Sequence, residues 1–504
     1  MRAIIPTEGT LGIRETVMRS GMLVAIALAV VASGLHAQDT AAAKPAATQP
    51  VEAQPAKPKA NPFELKIMLG DEADSPSIRL RFSGQHRTRA ELRAPAAYAP
   101  GLTRQRAEFS VNMRNRLGVD ALFPGSAGVL LELQDVRLFG DEPRANANAV
   151  NTSGFEGLDV LQAYLYSPNL FDLDIDARLG RQKFSIGNQR LFSTLEWAPQ
   201  SRAWDGLTLR RSFDQQYHLL GMALLVNELS RVQDDEWLVG VSFRWTPTFL
   251  KNNELEVLLL NQHRDDAGGA NDAHVTTASL RWNGRFGLNS DDTLALAFTV
   301  EGVAQVGTAD TAFWGTPGAN DSNVGAFAAA ATLDLHWSTG AHALRFGLGW
   351  DYASGDSDPT DNDFQTFRSP FPFGHKYQGF ADQIGWRNLH DFSVAADWKV
   401  KLDGWVESVS VLAQLHAFQR ENDDDGWYNP GGGLIRAGSP AVSDELGYEL
   451  DLVVSLKITR WIGFEAGWAH FFAGRFVKQT AVGVGSGRED SDMDFAWAGL
   501  TLQF

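Results

Sequence analysis

The sequence predicts an all-β transmembrane antiparallel barrel of about eighteen strands, with short periplasmic turns and long outer loops. Three observations carry this. Segments of apolar–polar alternation recur from residue 77 onward, the connectors between them alternate long and short, and the chain closes on Asp494-Phe-Ala-Trp-Ala-Gly-Leu-Thr-Leu-Gln-Phe504. In that last stretch Phe504, Leu502, Leu500, Ala498 and Ala496 share one face, and Gln503, Thr501, Gly499 and Trp497 share the other. A period of two means strand. A final strand with a terminal aromatic on its apolar face suits a bacterial outer-membrane barrel, which must close last strand on first. Phe504 is then the signal offered to the barrel-assembly machinery.

Bulk composition narrows the alternatives. Cysteine is absent from the 504 residues, which rules out disulfides and cysteine metal sites. A net charge of −17 with only 44 Lys and Arg makes nucleic acid a poor partner. Mean hydropathy is −0.20. After the first forty positions no run approaches the ~20 apolar residues of a spanning helix. A barrel needs apolar residues only at alternate positions.

The N-terminus reads as a leader. Arg19 precedes the apolar run from Met22 to Ala32, and small and polar residues follow to Ala37. This is the order of a secretory signal peptide, expected over 1–37. Residues 38–76, rich in Ala, Pro, Lys and Gln, are expected to be a disordered periplasmic linker. The barrel is expected over 77–504.

The strands follow in order. The first is clear: Ile78, Leu80 and Phe82 oppose Arg79, Arg81, Gln85, Arg87, Arg89 and Glu91. In the second, Phe109, Val111, Met113, Leu117 and Val119 alternate with Glu108, Ser110, Asn112, Arg114, Arg116 and Asp120. Continuing by the same rule places strands over 77–92, 104–123, 127–138, 158–167, 173–186, 203–213, 215–227, 235–248 and 253–263. The remaining nine fall at 273–286, 291–305, 323–337, 341–353, 388–401, 406–420, 444–458, 461–472 and 492–504. Odd connectors such as 139–157, 187–202, 354–387 and 421–443 are long, and even ones such as 124–126, 213–215 and 338–340 are short. Porins show that asymmetry. An even count puts both termini on the periplasmic side, and eighteen strands enclose an aqueous channel. Trp337, Trp350, Trp398, Trp405, Trp461, Trp468 and Trp497 are expected in interfacial girdles.

Three stretches carry a family resemblance. They are Leu179-Gly-Arg-Gln-Lys-Phe-Ser-Ile-Gly-Asn-Gln-Arg-Leu191 with Arg202-Ala-Trp-Asp-Gly-Leu207; Gly374-His-Lys-Tyr-Gln-Gly-Phe-Ala-Asp-Gln-Ile-Gly-Trp-Arg-Asn-Leu389; and Gly447-Tyr-Glu-Leu-Asp-Leu452 with Gly467-Trp-Ala-His-Phe-Phe-Ala-Gly-Arg-Phe476. Their order and loop placement resemble the alginate-export outer-membrane porins. The resemblance implies a monomer that exports an anionic polyuronate through an arginine-lined constriction.

Arginine suits such cargo, because its planar fork pairs with carboxylates and stays charged. Arg79, Arg81, Arg87, Arg89, Arg114, Arg116, Arg178 and Arg210 fall on the polar side of their strands and are the expected pore-lining, anion-selective groups. Arg181 falls on the apolar parity and reads as a structural anchor. The 354–387 loop is too long for a mere connection and holds seven aromatic or histidine rings between Phe364 and Phe380. It is expected to fold over or into the pore, with His375, Lys376, Tyr377, Asp382 and Arg387 as gate residues, either stacking sugars or plugging the barrel. Acidic runs at 356–363, 421–425 and 489–494 read as solvated outer loops bridged to lipopolysaccharide by divalent ions. Ca2+ binding there stays open.

No catalytic motif or resident cofactor is expected. His263, His274, His342, His375, His390, His416 and His470 are scattered in sequence, without metal spacing. The reading is a passive, non-enzymatic outer-membrane channel for an anionic polysaccharide. The alternatives are an uptake porin for small acids or sugars, or a barrel whose outer loops act as adhesin or enzyme.

Overall fold

The computed structural model describes residues 63–69, 76–94, 107–140, 157–226, 234–266, 271–315, 321–481 and 492–504. The expected signal peptide and the linker through residue 62 lie outside these. Eighteen strands form one closed antiparallel barrel, from Ser77–Ala94 and Glu108–Leu122 round to Ile462–Ala473 and Met493–Gln503. Closure is direct: the last strand pairs with the first from Gln85↔Gln503 to Ala94↔Asp494. Every expected segment holds one strand. The fifth is shorter than expected, Ile175–Gln182, because the chain leaves the wall at Lys183 and turns inward.

All neighbouring barrel strands are antiparallel, so odd and even connectors gather at opposite ends. The even ones are brief, as at 123–127, 214–216 and 340–341; the odd ones include 183–203, 354–388 and 420–444. Leu117, Leu131, Leu165, Leu179, Leu259, Leu280, Val300, Phe327, Leu348 and Phe392 are exposed on the outward face. Leaving each in water forgoes about 2 kcal/mol, so this belt is built for lipid. Trp337 and Trp405 are exposed as a girdle requires, but Trp497 is only 3% exposed and faces inward. Its parity opposite Leu500 and Leu502 determines that, and it corrects the girdle assignment.

Part of the expected linker is ordered. Leu65 and Ile67 alternate with Glu64 and Lys66, and Glu64–Met68 forms a strand paired with the first barrel strand from Glu64↔Arg81 to Met68↔Ser77. The physical reason is the seam. The closing strand stops at Gln503, which leaves the edge of Ser77–Ser83 without a partner, and the N-terminal strand takes it up. Phe504 and Gly84 exchange backbone hydrogen bonds at 3.0 and 3.1 Å, and the Phe63 ring packs 4.8 Å from the Phe504 ring.

The lumen is largely filled. Along Ser322–Thr339 the inward positions are Val324, Ala326, Ala328 and Ala330, all buried. Such small side chains leave room for the segments 183–203 and 354–388 to pack inside.

Deleting the chain through Leu69 is expected to speed amide hydrogen exchange at residues 77–81 at least tenfold, while exchange at 85–94 stays as in the full chain. Mass-spectrometric exchange on the refolded barrel checks this.

Candidate pore constriction

The Gly-Arg-Gln stretch shows how the chain is aimed into the lumen. Gly180 and Gly206 face each other in the ladder with φ of +129° and +155°. A Cβ at Gly206 would meet the Ala223 carbonyl at 2.2 Å, so the close approach demands glycine. Gln182 is buried; its Nε2 donates to Gly206 O (3.1 Å) and its Oε1 accepts from Thr208 (2.8 Å). Arg181 takes the opposite parity and pairs with Asp205 at 3.4 Å.

Beyond this anchor, segment 183–203 crosses to the first two strands. Arg87 donates to the carbonyls of Glu196 (2.8 Å), Trp197 (3.0 Å) and Ala198 (2.8 Å). Arg114 donates to Glu196 O and Ala198 O, and through Nη2 to Gln85 at 2.8 Å. Arg116 reaches the Glu196 carboxylate (2.8 Å), Gln134 (2.8 Å) and Ser201 (2.6 Å). Arg89 stacks 3.7 Å from the Trp197 ring centroid and is bonded to Glu91. Lys183 Nζ sits 2.8 Å from Glu196 Oε1. Five cations therefore meet, with Glu91 and Glu196 as the acids in ion-pair contact. The carbonyl oxygens accept hydrogen bonds but cancel no charge.

Burial pushes the Glu196 carboxyl up, but Arg116, Lys183 and Arg114 more than offset this and hold it at about 2, below the ordinary 4.5. The other expected arginines lie elsewhere. Arg79 is exposed and Arg81 pairs with Glu64 at 3.1 Å, both at the short-connector end. Arg178 pairs with Asp176 (3.0 Å) and faces the Tyr164 ring, and Arg210 lies over Phe184. Four of the eight thus converge on one turn.

Segment 354–388 lies against the same turn. Ser193 N donates to Phe371 O, Phe371 N to Leu191 O and Phe373 N to Gln189 O. Phe192, Phe364 and Phe367 are fully buried. The His375 ring stacks on Trp197 with centroids 3.8 Å apart, and its Nδ1 lies 3.0 Å from Asp382. Tyr377 Oη donates to Asn188 O (2.5 Å), and Lys376 Nζ reaches the same oxygen at 3.5 Å. Arg387 donates to Gly432 O and Trp314 O and covers the Tyr428 ring. The five expected gate residues all make contacts of this kind. The Asp356–Asp363 and Glu421–Asp425 runs also meet, since Asp425 accepts from Asp356 N and Thr366 Oγ1.

A second wall escaped the sequence reading. Asp351 bonds Arg190 (2.5 Å) and Gln378 (2.7 Å). Asp391 holds His416 at 3.0 Å, and Glu449 accepts from Ala381 N at 2.7 Å. Glu449 and Asp451 are wholly buried. Both alternate with Tyr448, Leu450 and Leu452 and so face the lumen, a signal the sequence held without showing the loop that covers them. The constriction thus has a cationic wall, an acidic wall, and two interlocked segments between.

A family model described as alginate export matches residues 78–488. No curated protein matches the chain. Among solved structures, Acinetobacter baumannii OccAB1 is similar at a TM-score of 0.52 and 12% identity, over 84% of this chain and 97% of that one. Pseudomonas aeruginosa OpdL is similar at 0.51 and 13%, over 84% and 98%. Pseudomonas aeruginosa OccK2 (OpdF) in complex with glucuronate is similar at 0.50 and 11%, over 84% and 96%. At such identities the likeness is one of fold.

A depressed carboxylate stabilises its folded setting above the ordinary value and stops doing so as pH falls through the folded one. The seat of the Glu196–Ala198 turn is therefore expected to hold from pH 7 to 5 and to loosen between about 4.5 and about 2. A fluorophore on Gln200→Cys, in a chain with no other cysteine, follows it; Glu196→Gln is expected to abolish the acid transition. Trp197→Ala removes the ring between Arg89 and His375 and is expected to raise single-channel conductance.

Proposed function

The chain belongs to the alginate export family, and from that premise we propose that its outer-membrane channel passes an anionic polyuronate past the arginines that seat the Glu196–Ala198 turn. The observation that carries this reading is the local excess of cations on one wall of the constriction, where Arg87, Arg89, Arg114, Arg116 and Lys183 stand against Glu91 and Glu196. A polyuronate carries one carboxylate per sugar. Fixed cations in a narrow, low-dielectric lumen concentrate such a chain, and a ladder of them lets it move from one contact to the next.

On this reading the short connectors face the periplasm and the long ones the cell exterior, with lipopolysaccharide around the rim. The barrel acts as a monomer, and Phe504 presents the strand end to the assembly machinery. The gate lies in the inward segment that holds His375, Lys376, Tyr377, Asp382 and Arg387; its release from Asn188 and Trp197 widens the lumen. Transport is passive, driven by synthesis or by a gradient.

A second reading, passage of small carboxylates, is favoured by one observation: both long segments occupy the lumen, which suits a small solute better than a polymer. The solved OccK2 structure in complex with glucuronate holds a small carboxylate in a barrel of this fold.

Planar-bilayer recording separates the two. Polyuronate passage requires an anion-selective reversal potential and block by oligouronates that strengthens with chain length, with neutral oligosaccharides inert. Joint Arg114→Gln and Arg116→Gln substitution is expected to lower anion preference several-fold. Block by glucuronate equal to that by its oligomers supports the small-carboxylate reading, and cation preference in the unaltered channel sinks both.

A further inference from the structure

Far from the constriction, the strand register assembles a group that sequence spacing hides. Asn253–Asp266 and Ala273–Gly287 pair antiparallel, and His263 stands directly opposite His274. Asp265 lies two residues beyond His263 and therefore on the same face. His263 Nδ1 is 2.6 Å from His274 Nδ1, and His263 Nε2 is 3.0 Å from Asp265 Oδ2. His274 Nε2 is 3.9 Å from the other Asp265 oxygen. One donor atom from each residue falls within 4.8 Å of the other two, and this is the one such group of three among the described residues. In sequence these histidines show no metal spacing; the strand register is what brings two of them together.

The face matters as much as the distances. Val257, Leu259, Leu280 and Trp282 are exposed on the outer wall of these two strands. Toward the long-connector end the same face turns polar: Asn261 Nδ2 donates to Thr276 Oγ1 at 3.0 Å, and the two histidines and Asp265 come next. The group thus sits outside the lumen, just past the apolar belt, where nothing in the channel uses it.

We propose that His263, His274 and Asp265 form a surface binding site for a divalent transition-metal ion, with zinc the best fit. The two imidazoles are borderline donors, which suit zinc, copper and nickel and discriminate against Ca2+ and Mg2+, and the carboxylate adds a hard, charged oxygen that zinc also accepts. The paired backbone fixes both Cα positions, so binding needs only side-chain rotation. The two ring nitrogens spread from hydrogen-bond contact to roughly 3.3 Å, the separation set by two Zn–N bonds of about 2.05 Å in a tetrahedron. Three protein ligands leave the fourth position to water, which makes the ion exchangeable.

The test uses full-length refolded protein, tag removed and stripped of metal, titrated with Zn2+ by calorimetry and with Cu2+ by electron paramagnetic resonance. One site per chain is expected, with nitrogen hyperfine structure on copper and no displacement by Ca2+. His274→Ala and His263→Gln are each expected to weaken Zn2+ binding at least tenfold, and Asp265→Asn less. Conductance and heat-modifiability of the barrel, both insensitive to this outer-wall site, control for folding. Acidification weakens binding, because protons compete for the same nitrogens. Zinc binding by His274→Ala equal to the parent, or an unaltered chain with no site stronger than the His263→Gln/His274→Gln double variant, overturns the proposal.

Discussion

Hydrocarbon offers no partner to a backbone N–H or C=O, so a barrel in lipid must pair every edge it presents. Here that constraint comes to a point at the seam. The ladder from Gln85↔Gln503 to Ala94↔Asp494 joins last strand to first. Where it stops, the first strand still runs on toward Ser77, and Glu64–Met68 completes it. The close contacts at this corner follow from the same need. The Phe504 ring lies over Gly84, where a Cβ would meet ring carbon at 2.4 Å. Closure also fixes every side chain's direction, because inward and outward residues alternate from one pairing register.

That fixed alternation gives the arginines two duties. Arg87, Arg114 and Arg116 satisfy the carbonyls and the carboxylate of a turn that would otherwise sit in the lumen with few partners. They also leave net positive charge beside it. A guanidinium has five N–H donors in a fixed fork, and Arg114 and Arg116 each use Nε, Nη1 and Nη2 to hold the turn and its neighbours. Lysine, a point charge, would serve the second role but seat the turn poorly.

Much of the fold was legible because lipid and water impose a period of two on every strand. Phe109 to Val119 or Ile78 to Phe82 needed no partner to be read. What stayed hidden was whatever depends on pairing across the chain. The strand at Glu64 is too short to stand out from its linker, and exists because the seam edge is vacant. Arg79 and Arg81 share the parity of Arg87 and Arg89, yet lie too far along the strand to reach the inward turn. Glu449 and Asp451 were passed over, because nothing local to their strand says that Ala381 closes over them. His263 and His274 are eleven residues apart in sequence and neighbours only once the register is known.

The inward segment 183–203 does more than narrow a hole. At one end its Glu196–Ala198 turn is tied to the first and second strands. At the other, Asn188 Nδ2 donates to Glu301 at 2.7 Å, on Leu294–Ala309, the eleventh strand. That wall stands nine steps round from the second strand, half of the eighteen-strand circuit. The segment is therefore a cross-tie over the diameter. A thin cylindrical shell resists stretching along its hydrogen bonds but flattens readily, and a tie across its width stiffens it against becoming oval. Squeezing the barrel from the bilayer side would load this tie first, so lateral pressure in the membrane and the width of the opening become mechanically one variable.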